Sequence, residues 1–77
     1  MSKQFKEFEI VEPTVGVMMP IMNLMDTDSN KFIMELARGC VHKNGVPLGA
    51  DLDAVSFADY KAMIPLLLEV AGFGEGK

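Results

Sequence analysis

The stretch FKEFEIV at residues 5–11 decides the fold class of this chain. Phe8 and Ile10 fall on one side of an extended backbone, and Glu7 and Glu9 fall on the other. A period of two carried by aromatic and β-branched residues is typical of a half-buried β-strand. The Glu-Pro pair that follows ends the strand, since proline biases the residue before it toward extended geometry. We therefore expect one N-terminal strand over residues 5–11.

A hairpin at residues 41–48, VHKNGVPL, is predicted to supply the rest of the sheet. Asn44 and Gly45 both tolerate a positive φ angle, as the two central positions of a type I′ turn require. The arms are short and Pro47 has no N–H to donate, so the hairpin belongs at a sheet edge. The strand and the hairpin together predict a short antiparallel sheet.

A first amphipathic helix is predicted in the middle of the chain. Asp28 or Ser29 is a suitable N-cap. The helix is expected to end at Arg38, with Gly39 in the left-handed conformation that glycine adopts at low cost. The apolar positions with helical spacing are Phe32, Ile33, Leu36 and Ala37.

The clearest helix signal lies near the C-terminus. Ser56 is a good N-cap, and Gly72 suits the left-handed position of a Schellman closure in which Phe73 folds back. Pro65 lies inside the helix and is expected to kink it. One apolar stripe of this helix comprises Phe57, Tyr60, Ile64, Leu67, Leu68 and Ala71, and the sequence leaves open which of its apolar rows faces the core.

Length and composition predict one small domain. The chain has 77 residues, of which 49% are hydrophobic and 23% charged, a globular composition. We expect a single domain over residues 1–77, with an ordered core at about 5–73 and a frayed tail at 74–77. The predicted fold class is α+β, with two or three helices packed on a short antiparallel sheet made from the N-terminal strand and the hairpin.

The net charge and the cysteine content limit the classes of partner and the cellular compartment that we expect for this protein. The net charge is −4 and no Lys/Arg cluster occurs, which disfavours nucleic acid and anionic membranes. The single cysteine, Cys40, cannot form an internal disulfide, which fits a reducing compartment. The longest uncharged stretch has 13 residues (13–25), whereas a membrane span needs about 20. We expect a soluble cytoplasmic protein.

Two patterns resemble metal sites, but neither has all the residues that such a site requires. Asp26, Asp28 and Asn30 imitate the start of an EF-hand loop, but that loop needs glycine at its sixth position and glutamate at its twelfth. Cys40 and His42 offer two zinc ligands where a structural site needs four. We expect a helix-capping turn, a buried cysteine and a surface histidine. With no metal set, cofactor or acid/base constellation expected, the protein is predicted not to be an enzyme.

The Asp28-Ser29 pair offers an alternative function. Acyl and peptidyl carrier proteins carry phosphopantetheine on a serine that follows an aspartate, and they are small and acidic. The residue after that serine is usually leucine, whereas here it is Asn30. Carrier proteins are also all-helical. Ser29 as an N-cap is therefore favoured, and modification of Ser29 stays open as the alternative.

Methionine is the least ordinary feature of the composition. Of seven methionines, four crowd into residues 14–25, where Gly16 and Pro20 predict a bent or short helix. Methionine is flexible and is over-used where a surface accepts varied apolar partners. These four are Met18, Met19, Met22 and Met25. A second apolar row on the C-terminal helix comprises Met63, Leu66 and Val70. Core packing is one interpretation; a partner chain or self-association is the favoured one.

In order along the chain, these pieces resemble the tail assembly chaperones of Mu-like phages and prophages. The resemblance covers residues 5–73. It rests on FEIVEPT at residues 8–14, on the helix at 32–37, and on LDAVSFADY at 52–60 leading to an apolar helix that ends near Phe73. The family often has arginine before the proline, where this chain has Glu12.

The resemblance implies a non-enzymatic role in the host bacterial cytoplasm. Such proteins bind the long, helix-rich tape measure protein and keep it soluble until tail tube subunits polymerise around it. No catalytic residue is implied. The residues predicted to contact the partner are Met18, Met19, Met22 and Met25, with Leu66 and Val70 as a second patch. A small regulatory protein that binds one folded partner is the remaining alternative.

Overall fold

One layer of the fold is a four-stranded antiparallel sheet in which strands adjacent in sequence are adjacent in space. The computed structural model describes residues 2–73. The strands, in sheet order, are β1 (Ser2–Phe5), β2 (Phe8–Val11), β3 (Val41–Lys43) and β4 (Val46–Pro47). The prediction of an α+β fold with helices on a short antiparallel sheet is confirmed. The tail predicted at 74–77 lies outside the described residues.

The N-terminal segment is a hairpin, so the prediction of one continuous strand over residues 5–11 is wrong. Phe5 pairs with Phe8, and the chain reverses between them. Lys6, the first residue of the turn, adopts a positive φ of 54°. The Lys6 ammonium also bonds to the Asp59 carboxylate at 2.9 Å, which fastens this turn to the last helix. The turn therefore depends on a residue far away in sequence.

The second hairpin forms as predicted. Asn44 and Gly45 take positive φ angles of 57° and 79° and join β3 to β4. In the middle of the sheet, Ile10 pairs with Lys3 on one side and Val41 on the other. The sheet thus has an inner face on which Ile10 and Val41 are fully buried.

Short helical turns connect the sheet to the first long helix. They are α1 (Val15–Met18), a 3₁₀ turn (Met19–Ile21) and α2 (Leu24–Thr27). The prediction of a bent or short helix over residues 14–25 is confirmed. Pro20 lies in the first turn of the 3₁₀ segment, where a missing N–H costs no hydrogen bond.

Helix α3 (Ser29–Cys40) begins as predicted and ends later than predicted. The Asp28 carboxylate accepts a hydrogen bond from the Lys31 backbone N–H at 3.1 Å, which makes Asp28 the N-cap. Gly39 was expected to terminate the helix in the left-handed conformation. It lies instead inside the helix, where a Cβ would come within 3.0 Å of Val17 Cγ1. The glycine therefore allows close packing of α1.

Helix α4 (Phe57–Val70) follows a 3₁₀ segment (Gly49–Ala54) and has the predicted ends. The Ser56 hydroxyl accepts a hydrogen bond from the backbone N–H of Asp59 at 3.2 Å. At the other end, Gly72 has a φ of 94°, and the Phe73 N–H donates to the Leu68 carbonyl at 2.8 Å. This is the Schellman closure.

The core lies between the inner face of the sheet and helices α3 and α4. Helix α4 packs on β1 and β2, while α3 packs on α4, α1 and the second hairpin. The sequence left open which apolar row of α4 faces the core; in the structure Met63, Leu67 and Val70 are buried, whereas Phe57 is 71% exposed. The buried set is Phe8, Ile10, Ile21, Phe32, Leu36, Ala37, Cys40, Val41, Leu48, Leu52, Met63, Leu67 and Val70. No helix within residues 2–73 is both long and apolar enough to cross a bilayer.

Candidate functional site

The largest run of exposed apolar side chains lies on the short helical turns between β2 and α3. We call it the methionine surface; it consists of Val15, Met19, Met22 and Met25, which are 76%, 63%, 47% and 37% exposed. Their sequence intervals of 4, 3 and 3 residues keep them on one side of a near-helical path. With a rise of about 1.5 Å per residue, the row is about 15 Å long.

The opposite side of the same segment is anchored in the core. Ile21 is buried, and Val17, Met18 and Leu24 pack against the buried cluster. Met18 therefore points inward, in contrast to the prediction that it belongs to the partner-binding set. Val15, which is not in the predicted partner-binding set, lies on the outer side.

The outer side of the segment is apolar almost throughout. Besides the methionine surface, the exposed positions within residues 15–25 are Gly16, Pro20 and Asn23, so Asn23 carries the one polar side chain among them. A surface helix in a soluble protein normally has charged or polar residues on its outer face. This segment departs from that pattern, which identifies it as the candidate binding surface.

The second predicted patch, on α4, is not a surface feature. Val70 is 6% exposed and belongs to the core, and Leu66 is half-buried against it. Two surface ion pairs accompany this orientation. Asp59 and Glu69 on α4 contact Lys6 and Lys3 of the first hairpin at 2.9 and 3.3 Å, so the side of the helix near them faces the sheet.

A shallow apolar groove lies elsewhere, between α3, the 3₁₀ segment and the start of α4. Its volume is about 320 Å³, and its lining residues are Met34, Leu52, Asp53, Val55, Phe57 and Tyr60. The Phe57 and Tyr60 rings stack at 6.3 Å, and the Lys61 ammonium lies 5.6 Å from the Phe57 ring. Sequence reasoning missed this groove because it left open which side of α4 faces the core. The available signal was the sequence around the N-cap: Val55 and Tyr60, at the positions of a hydrophobic staple, pack partly against the core, whereas Phe57 directly after Ser56 is exposed.

A second depression is polar at its rim. It has a volume of about 390 Å³, and buried Phe8 and Leu48 are among the residues that line it. Carboxylates of Glu7, Asp51 and Asp59 also line it, together with Lys43. Across residues 2–73, no cluster of three His, Cys, Asp or Glu side chains is arranged to hold a metal ion.

Cys40 and His42 are separated by the sheet. Cys40 is 1% exposed and lies in the core at the end of α3. His42 is half-buried and pairs with Glu9 and Pro47. Because neighbouring strand residues alternate between faces and Val41 faces inward, His42 faces outward. Burial raises the pKa of the Cys40 thiol from 9.0 to about 11, which makes it a poor nucleophile at neutral pH.

The raised pKa of Cys40 predicts a loss of stability at alkaline pH. Between pH 9 and 11 the unfolded thiol is ionised while the folded thiol keeps its proton, so stability falls as pH rises through this window. The loss attributable to Cys40 is about 1 kcal/mol between pH 9 and pH 10. Urea unfolding at both pH values should show this loss in the wild type beyond that in Cys40→Ala. Equal losses in the two proteins would contradict the assignment.

Ser29, the residue of the carrier alternative, is exposed as the first residue of α3. Its neighbour Asp28 is occupied in capping that helix. No protein-family model, no curated protein and no solved structure matches this chain.

Proposed function

We propose that this protein is a phage tail assembly chaperone of the Mu-like type, which binds a tape measure protein in the host bacterial cytoplasm. In this proposal it keeps that protein soluble during tail assembly and acts without catalysis. The observation that carries the proposal is the methionine surface, an exposed apolar row held in place by an inward side that belongs to the core.

The geometry of the row suits a helical client. A row about 15 Å long at helical spacing corresponds to roughly three turns of a partner helix. Apolar area removed from water contributes about 25 cal/mol per Å². Methionine side chains adapt their rotamers to different partner surfaces, which a client with changing register along its length requires.

Co-expression with a tape measure protein tests the proposal. The wild-type chain is expected to raise the soluble fraction of that client, and the double variant Met19→Ser with Met22→Ser is expected to lose most of this effect. Both substitutions lie on the surface, where a change typically alters stability by no more than about 0.5 kcal/mol. The measurement is the client's soluble fraction after centrifugation, with far-UV circular dichroism to confirm folding of each variant.

Met34→Ser provides the matched control. Met34 is also an exposed methionine, but it lines the groove beside Phe57 and is not part of the methionine surface. It should solubilise the client as the wild type does. A client that is equally soluble with the wild type, the double variant and no added protein would refute the proposal.

Modification of Ser29 is kept as a second candidate function because Ser29 is exposed directly after an aspartate. The four-stranded sheet weighs against it, since carrier proteins are all-helical. Intact mass after incubation with a phosphopantetheinyl transferase decides the matter: a mass gain that is lost in Ser29→Ala supports the carrier function, and an unchanged mass removes it.

A further inference from the structure

The charges around the methionine surface all have one sign over a long stretch of chain. Residues 7–30 contain no lysine, arginine or histidine, and they contain five acidic residues. The acidic residues are Glu7, Glu9, Glu12, Asp26 and Asp28. The basic residue before this stretch, Lys6, is paired with Asp59 at 2.9 Å, and the exposed Lys31 directly follows the stretch. The methionine surface therefore lies inside a segment that is both apolar and anionic.

Asp26 and Asp28 border the C-terminal end of the surface directly. Asp26 follows Met25 in helix α2, and Asp28 follows two residues later; both are exposed. Asp28 accepts one hydrogen bond from the Lys31 backbone. Among residues 2–73, Asp26 forms no ion pair with a lysine or arginine. Two carboxylates thus stand at the edge of an apolar row with no side-chain cation bound to either.

The other exposed apolar region has a different electrostatic character. In the groove formed with Phe57, a lysine ammonium lies 5.6 Å from the aromatic ring. Its acidic residue, Asp53, is already paired with Arg38 at 2.9 Å. Asp26 and Asp28 thus border the methionine surface without a bound lysine or arginine side chain, whereas the acidic residue of the groove is paired.

We propose that the methionine surface selects an amphipathic helix whose apolar side is bordered by lysine or arginine residues. This inference rests on the proposed function and adds the chemistry of the partner to it. The apolar side of the partner covers Val15, Met19, Met22 and Met25. Its basic flanks approach Asp26 and Asp28. Complementary charge at the rim speeds association and sets orientation, while apolar burial at the centre supplies most of the affinity.

Two synthetic peptides that share one apolar face test the charge preference. Both carry leucine at helical spacing; one has lysine at the flanking positions and the other has glutamate. By isothermal titration calorimetry at low salt, the lysine peptide is expected to bind the intact protein about tenfold more tightly. The ratio should shrink as salt is raised, because exposed charges are screened beyond about 10 Å at 0.1 M salt.

Charge-neutralising variants locate the effect on the protein. Asp26→Asn combined with Asp28→Asn should weaken binding of the lysine peptide about threefold to tenfold and leave the glutamate peptide no weaker. Asparagine keeps the ability to cap α3, so the fold is preserved. Asp51→Asn, at an exposed carboxylate of the 3₁₀ segment, removes one negative charge elsewhere, as Asp26→Asn alone does, and should have little effect.

The outcomes separate this inference from the function on which it rests. Equal affinity for the two peptides, or equal effects of the Asp26/Asp28 and Asp51 changes, would overturn the charge preference and leave helix binding intact. Binding of the lysine peptide that persists in Met19→Ser with Met22→Ser would mean charge attraction without the apolar surface, which also overturns it. Failure of both peptides to bind would count against helix binding itself.

Discussion

Replacement of Leu36 by alanine is expected to remove most of the stability of the fold. Leu36 is fully buried at the centre of α3, the helix that packs on α1, α4 and the second hairpin. Truncation of a buried leucine to alanine costs about 2–5 kcal/mol, from lost burial and from the cavity that remains. A core in a domain of this size supplies only about 3–5 kcal/mol of net stability. Urea unfolding followed by far-UV circular dichroism measures the loss.

Two controls on the same helix make the Leu36 result interpretable. Leu36→Met nearly conserves volume and should cost less than about 1.5 kcal/mol. Met34→Ala changes an exposed position two residues away and should stay within about 0.5 kcal/mol of the wild type. A Leu36→Ala variant that unfolds at the wild-type urea concentration would show that α3 does not pack as described.

The features predicted correctly are those that neighbouring residues determine. Asn44 and Gly45 form the turn of the second hairpin because both residues accept positive φ angles. The Ser56 cap and the Gly72 closure fix the ends of α4 through hydrogen bonds to residues three to five positions away. Such signals are contained in a short window of sequence, so they can be interpreted without knowledge of the fold.

The orientation of α4 could not be predicted from its own sequence. Apolar side chains occupy more than one side of this helix, so helical periodicity does not choose which side faces the core. The choice depends on packing against α3 and the first hairpin, whose Lys3 and Lys6 also form surface ion pairs with Glu69 and Asp59. That hairpin was itself missed, because Lys6 and Glu7 are not residues that favour a tight turn.

The candidate site was predicted only in part, because it too depends on contacts between residues that are distant in sequence. The concentration of methionines located the segment, and Met19, Met22 and Met25 are exposed as the partner-binding interpretation requires. Which methionine points inward depends on where α1 meets α3, and this contact joins Val17 to a residue 22 positions away. Met18, expected on the partner-binding side, therefore packs inward, a difference that no local pattern encodes.

Gly39 tests this contact, because substitution there is expected to detach α1 from α3. A Cβ at Gly39 would lie 3.0 and 3.1 Å from the two methyl carbons of Val17, closer than ordinary van der Waals contact. Gly39→Leu adds further atoms at the same point, so we expect a loss of about 3 kcal/mol, at the upper end of the overpacking range. The measurement is urea unfolding, with proteolysis within residues 14–25 as a reporter of detachment.

The alanine variants separate this steric effect from helix propensity. Alanine in place of glycine inside a helix normally gains about 1 kcal/mol. Gly16→Ala should show a gain of this kind, since its Cβ would meet only Thr14 Oγ1 at 3.7 Å. Gly39→Ala should show none, and combining it with Val17→Ala should recover part of the difference in a double-mutant cycle. If Gly39→Ala stabilised the protein as much as Gly16→Ala does, α1 would not be seated against α3, and the methionine surface would lose the anchor that holds it outward.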